Sequence, residues 1–183
     1  MNSTTALIVI DMQMAIDDPV WSKFGARNNP GAEVAALRLI DAWRAAQRPI
    51  YHVRHDSIEP ASTYRAGQPG HNFKPGFGPR DGEDLIPKHT GSAFVGTALE
   101  DKLRARGCED LVIAGVITNN SVETTVRHAA ALGFRVTLAE DACFTFARPD
   151  WNGVVRTAEE VHAMSLANLD GEYSVIERVH KWI

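Results

Sequence analysis

Ala6-Leu7-Ile8-Val9-Ile10-Asp11 sets an unbroken apolar run directly in front of a carboxylate. A run with no polar face to offer water reads as a strand covered on both sides, which is the mark of a parallel sheet between helical layers. Outward along the chain, Leu111 to Val116 and Arg135 to Glu140 have the same nearly continuous apolar character. Pro49 to Arg54 and Tyr173 to Val179 read as further strands, and Asp84 to Lys88 as a weaker sixth. Helical patterns separate them. Ala36, Ile40 and Trp43 share a face within residues 31–47. Thr97 with Glu100 makes a capping-box pattern, Leu99 and Leu103 share a face, and Gly107 is the stop. Asn120 with Glu123 opens another helix, with Val122, Val126, Ala129 and Ala130 inward and Gly133 at its end. Thr157 with Glu160 opens the last, which is predicted to turn Val161 and Met164 inward and to stop near Gly171. Strands alternating with helices predict βαβ units and an α/β fold.

The 183 residues suffice for one well-filled core and are too few for two domains, so residues 1–183 read as a single domain. Apolar residues make up 44% and charged residues 23%, as in ordinary soluble proteins. With a net charge of −4 and no basic run, the electrostatic footprint of a nucleic-acid binder is missing. The first apolar run lacks a basic flank and is too short for a signal peptide or a membrane span. Cys108 and Cys143 have neither disulfide-framework nor metal-ligand spacing. They read as reduced cysteines, and the protein is expected in the cytoplasm, with no membrane partner. Asp56 to Val95 is long and rich in Gly and Pro. It reads as a wall or lid over a site, or else as a surface excursion or an arm for oligomer contacts.

Ligands of open parallel sheets bind beyond the carboxyl ends of the strands, where the strand order reverses. Three polar residues fall at such ends: Asp11 after the first strand, Lys88 after Leu85-Ile86, and Ser121 at the start of the helix that follows Leu111 to Val116. A carboxylate behind buried apolar residues needs a partner or a task, although Asp11 can also simply cap a turn. In a first helical turn, backbone N–H groups and the helix dipole favour negative charge, which suits a thiolate, an alkoxide or an oxyanion. Ser121 alone is equally readable as a cap, a role that Asn119 or Asn120 can also fill.

Four segments together resemble the isochorismatase-like cysteine hydrolases. Leu7-Ile8-Val9-Ile10-Asp11-Met12-Gln13 is similar to that family's opening strand, and Pro87-Lys88-His89-Thr90-Gly91-Ser92-Ala93-Phe94 to its lysine segment. Gly115-Val116-Ile117-Thr118-Asn119-Asn120-Ser121-Val122-Glu123-Thr124-Thr125-Val126-Arg127 resembles the nucleophile segment. Glu140-Asp141-Ala142 resembles the motif after the next strand. The resemblance implies a three-layer αβα fold with a six-stranded, mainly parallel sheet. It implies a triad of aspartate, lysine and cysteine at Asp11, Lys88 and position 121, in which the aspartate takes the thiol proton and the lysine stabilises the charge. It also implies a cis peptide at Val116–Ile117 and an oxyanion hole from the N–H groups of Ile117 and residue 121.

Position 121 departs from the family, because it holds serine. A hydroxyl is far harder to ionise than a thiol, and serine nucleophiles normally rely on a histidine, of which none stands in obvious register. Ser121 is therefore either an engineered exchange for cysteine or a natural serine in a weak, altered or lost hydrolase. Asn119 stands where many members carry aspartate.

His52-Val53-Arg54-His55-Asp56 invites a metal reading, since the nicotinamidase branch binds a metal near here. His52 and His55, however, point to opposite faces of a strand, and the Asp-x-His spacing is absent. No metal and no cofactor are expected, and His55 reads as a donor to substrate. Gln13 is expected to orient the site, Asn120 to contact substrate, and Trp21, Phe24, Phe77, Phe94 and Phe146 to offer apolar walls, Trp21, Phe24 and Phe94 foremost. The resulting expectation is a metal-independent hydrolase of a small amide, ureido or lactam compound, working as a dimer or tetramer. The rivals are an isochorismatase-type vinyl-ether hydrolase and a non-catalytic binding protein.

Overall fold

β1 (Ala6–Ile10) lies inside a six-stranded sheet with β2 (Ile50–His55), β3 (Asp84–Lys88), β4 (Asp110–Val116), β5 (Arg135–Phe144) and β8 (Val175–Glu177), in a computed structural model that describes residues 4–183. The order is β3-β2-β1-β4-β5-β8, and every pairing is parallel. A two-stranded hairpin, β6 (Arg148–Pro149) with β7 (Val155–Arg156), stands apart. The helices are α1 (Ala32–Ala45), α2 (Leu99–Ala105), α3 (Glu123–Ala131) and α4 (Ala158–Ala167).

The pleat sends alternate residues of the central strands into two cores. Ala6, Ile8 and Ile10 pack with Leu111 and Ile113 against Leu99 and Leu103 of α2 and Val126 and Ala129 of α3. Leu7 and Val9 pack with Val112 and Ala114 against Ala36, Leu39, Ile40 and Trp43 of α1. The result is a three-layer αβα fold. β3, the weakest strand in the sequence, forms one edge, where Pro87 is tolerated because only one side of the strand needs donors. The order reverses beside β1: β2 and β3 lie on one side of it, β4 and β5 on the other.

Several local expectations need correction. β5 continues to Phe144, so Glu140-Asp141-Ala142 lies inside the strand, where the register against β4 shifts between Ile113 and Gly115. The hairpin of β6 and β7 carried no legible signal. At α2, Thr97 accepts from the Leu99 N–H without Glu100, which pairs with Arg104 instead. A π-helical turn, Thr118–Val122, precedes α3, so Asn120 does not cap it, and Glu123 holds Arg127 and Ser165. Ala130 is only half-buried. The Thr157–Glu160 capping box forms with both bonds. Met164, however, is 64% exposed. Ala158, His162 and Ser165 face inward instead, because two of them bond the Thr118 turn and that polar contact sets the helix rotation.

Gly115 makes the closest approach in the sheet. Its φ is +128°, and a Cβ there would lie 2.2 Å from the Ile10 carbonyl oxygen. A side chain at this point would force β1 and β4 apart.

Candidate active site

The carboxyl ends of β1, β2, β3 and β4 converge on one buried ammonium group. Asp11 leaves β1 at φ +54°, with its N–H bound to the Val53 carbonyl and its C=O accepting from Gln13 N–H. Lys88, the last residue of β3, has no exposed surface. Its Nζ donates to Asp11 Oδ2 at 2.7 Å, to the Thr90 carbonyl at 3.0 Å and to Ser121 Oγ at 3.3 Å. His55 Nδ1 stands 3.2 Å away. An ammonium only donates, so Nδ1 presents its lone pair, which leaves Nε2 with the proton. Three N–H bonds face four acceptors, and the two longest contacts, to His55 and Ser121, share what the shorter two leave. Asp11 Oδ1 is buried with no hydrogen-bond partner among the described residues. Such an atom is costly to leave unpaired, and at the floor of a cavity it is a ready proton acceptor.

Ser121 sits in the π turn that follows β4, just after a cis peptide between Val116 and Ile117. The turn begins with bonds from Asn120 N–H and Val122 N–H to the Ile117 carbonyl. Gln13 braces β2 from the other side: its Oε1 accepts from His55 N–H at 2.7 Å, while its Nε2 donates to the carbonyls of His71 and His55. Burial, and next the charge of Lys88, push the His55 imidazole below its usual value, so it stays neutral at neutral pH. Burial, and then Asp11, hold the Tyr64 hydroxyl well above its usual value.

These groups open onto a cavity of about 230 Å³ lined by Asp11, His55, Ile117 and Ser121. Ile16, Trp21 and Tyr64 form its apolar side, with Trp21 and Tyr64 edge to face at 5.9 Å, and Ser62 adds a hydroxyl. Ser62, Tyr64, His89, Thr90 and Gly91 come from the long segment 56–95, which therefore supplies one wall. Asp56 fastens that segment by accepting from Arg54 and His71, each within 2.7 Å. Burial works to raise the Asp56 carboxyl, but these two partners outweigh it and hold it low. A larger groove of about 880 Å³ runs between α4 and the β6–β7 hairpin. It contains none of Asp11, Lys88 and Ser121, and its acid–base pair Arg156 and Asp150 is already joined. The smaller cavity, with the buried charges at its floor, is the better candidate for a reaction site.

Of the residues singled out in the sequence, Asp11, Lys88, Ser121, Ile117, His55, Asn120 and Trp21 meet here, and Gln13 lies behind His55. Phe24 does not meet them: it is 44% exposed, beneath the Lys23 ammonium. Phe94 is likewise turned away, stacked on Phe134 and His128 in the core under α2 and α3. Phe77 is buried beside α1, and Phe146 reaches only the back of Trp21. Tyr64, Ile16, Ser62, His89 and Thr90 were missed. Nothing in an irregular segment predicts which residues turn inward. His52 points away from the site, with its ring nitrogens on the Phe77 carbonyl and Glu83 at 2.7 Å each. Among the described residues, no group of three or more His, Cys, Asp or Glu side chains is arranged to hold a metal ion.

Comparison with known proteins agrees with this fold. The family model for the isochorismatase domain matches residues 5–171. The uncharacterized isochorismatase family protein YrdC of Bacillus subtilis is 35% identical, over 96% of this chain and 92% of its own length. Nicotinamidase 3 of Arabidopsis thaliana is 30% identical, over 90% of this chain and 79% of its own. A crystal structure of an isochorismatase-family protein from Chromobacterium violaceum superimposes with a TM-score of 0.93 at 59% identity, covering 98% of this chain and 91% of that one.

Proposed function

The chain belongs to the isochorismatase family of hydrolases, and from that premise we propose that it cleaves the C–N bond of a small amide, ureido or lactam compound. The observation that carries this reading is the placement of Lys88 Nζ between Asp11 Oδ2 and Ser121 Oγ at the floor of a small cavity. Ser121 Oγ attacks the carbonyl carbon and passes its proton to Asp11. The N–H groups of Ile117 and Ser121 receive the developing oxyanion, and Lys88 offsets the negative charge. Asp11 returns the proton to the departing nitrogen, leaving an acyl group on Ser121. Water, deprotonated by Asp11, then releases the acid and restores the hydroxyl. The nicotinamidase among the relatives supports an amide substrate.

The enzyme proposed here works without a metal, in the cytoplasm, as a dimer or tetramer. His52 has both ring nitrogens occupied by Phe77 and Glu83, and His55 turns Nδ1 to the Lys88 ammonium, which favours metal independence. The deciding experiment is ammonia or amine release from a panel of small amides, ureido compounds and lactams by the chain and its Ser121→Ala form, before and after dialysis against a chelator. Release by the chain, unaffected by the chelator and absent in Ser121→Ala, is the expected result. Equal release by both forms removes Ser121 from the mechanism. Pyruvate release from isochorismate in place of ammonia would move the reading to the vinyl-ether hydrolase, which needs no nucleophile.

A further inference from the structure

The turn that presents Ser121 is held from behind by groups that do not line the cavity. Thr118, its first residue, is fully buried, and its Oγ1 lies 2.9 Å from Nδ1 of His162 on α4. The other ring nitrogen, Nε2, faces Glu140 Oε2 at 3.6 Å and has no hydrogen-bond partner among the described residues. Ser165, on the same face of α4, shares its single proton between Glu123 Oε2 at 2.6 Å and the Thr118 carbonyl at 3.3 Å. One residue on, Asn119 Oδ1 accepts from Thr145 Oγ1 at the end of β5.

A hydroxyl, an imidazole and a carboxylate in series would ordinarily suggest a nucleophile with its base and orienter. Thr118 is not one. It has no exposed surface and no place in the cavity wall, so no substrate reaches it. The series acts on the turn instead. Ser121 lies three residues from Thr118 and touches Lys88 only at 3.3 Å, a contact with little to spare. Ile117, whose N–H faces the developing oxyanion in the proposed reaction, immediately precedes Thr118. A shift of the turn by a fraction of an ångström alters both.

We propose that His162, assisted by Ser165, is a positioning residue: through Thr118 it sets where Ser121 Oγ and the Ile117 N–H stand relative to Lys88. This rests on the reading of Ser121 as nucleophile. It also accounts for the rotation of α4, which buries a histidine and a serine while leaving Met164 in water. If His162 were core filling, an apolar residue of similar size would cost stability and nothing else.

The test uses His162→Leu, Thr118→Val and His162→Asn, the last able to place a polar atom where Nδ1 stands. Thr157→Ala is the control, since it weakens the same helix at its cap and touches neither turn nor cavity. Two measurements are made: hydrogen exchange of the peptide spanning 117–123 against that of β4, and kcat and KM on the amide panel. In His162→Leu and Thr118→Val, exchange at 117–123 should rise while β4 is unchanged. Their kcat should fall by about tenfold to a hundredfold at nearly constant KM. His162→Asn should recover most of both, and Thr157→Ala should alter neither. Should His162→Leu fail to fold, the nearly isosteric Thr118→Val removes the same bond and carries the test. Unchanged exchange at 117–123, or equal effects from Thr157→Ala, overturns the proposal. If the unaltered chain hydrolyses nothing in the panel, the reading of Ser121 fails. The exchange measurement then decides alone whether His162 holds the turn.

Discussion

Ser121 stands in surroundings better suited to sulfur than to oxygen. In the proposed reaction, Lys88 and the N–H groups of Ile117 and Ser121 meet an anion that a thiol, titrating freely near about 8.5, forms readily once that value is lowered. A hydroxyl pays a far larger ionisation cost in the same place. Ser121→Cys is therefore expected to raise ammonia release by at least about a hundredfold, about 2.7 kcal/mol in barrier height. It should also confer sensitivity to thiol alkylation that the serine form lacks. Equal or faster turnover by the serine form would mean that Ser121 has an effective base of its own. His55, neutral and 3.2 Å from Lys88 Nζ, would then be the first residue to replace. Asp11, Lys88 and Ser121 were legible in the sequence because strand ends are fixed by the apolar runs before them. Tyr64 and Ser62 were not, because their approach depends on how Asp56, Arg54 and His71 fasten the long segment. Phe94 misled for a different reason: its motif neighbours the site, but the chain turns it into the opposite core.

At the scale of elements, the decisive contact is β4 lying against β1. Gly115 permits it, and Gly115→Ala combines a strained positive φ with a Cβ aimed at the Ile10 carbonyl. A loss of about 3 kcal/mol or more is expected, visible as a lower urea midpoint. A midpoint within experimental error of the unaltered chain would show that the strands can separate without penalty. The central strands could be read because burial on both faces leaves no polar periodicity. The extension of β5 could not, since Glu140 and Asp141 interrupt the apolar run and are accommodated by a register shift. Glu140 spends its charge on Arg178, and Asp141 accepts the Val179 N–H, bonds to residues some forty positions away that no local pattern announces. The rotation of α4 escaped for the same reason, being set by Thr118 and not by its own apolar spacing.

Across the whole molecule, three histidines govern the first response to acid, His52 and His162 buried and His55 half-buried. Burial is the largest influence on His52, His55 and His162, and each lies below its ordinary 6.5. The unfolded chain therefore binds protons near pH 6.5 that the folded chain refuses. Stability accordingly falls as pH drops below that value, until the folded-state values are passed. Urea midpoints at pH 7.5, 6.5 and 5.5 should decline over the lower interval, and a flat profile would contradict the burial of these rings as neutral species. Carboxylates add a second loss at lower pH. Burial works to raise Glu83, but Arg44, the Arg80 N–H and His52 outweigh it and hold it at about 2, so its contribution persists until strongly acidic conditions. Two stages are thus expected, histidines first.

The β6–β7 hairpin, with Trp151 fully exposed at its tip, lies between the part of the chain that carries Asp11, Lys88 and Ser121 and the part that carries His162 and Ser165. A chain opened at that tip would divide reacting groups from their support along a natural seam. The larger fragment would keep every residue that lines the candidate site yet lack the helix proposed to aim them. Assembly of the two pieces would then be readable as recovered turnover, which makes this loop the place to build a split reporter from the protein.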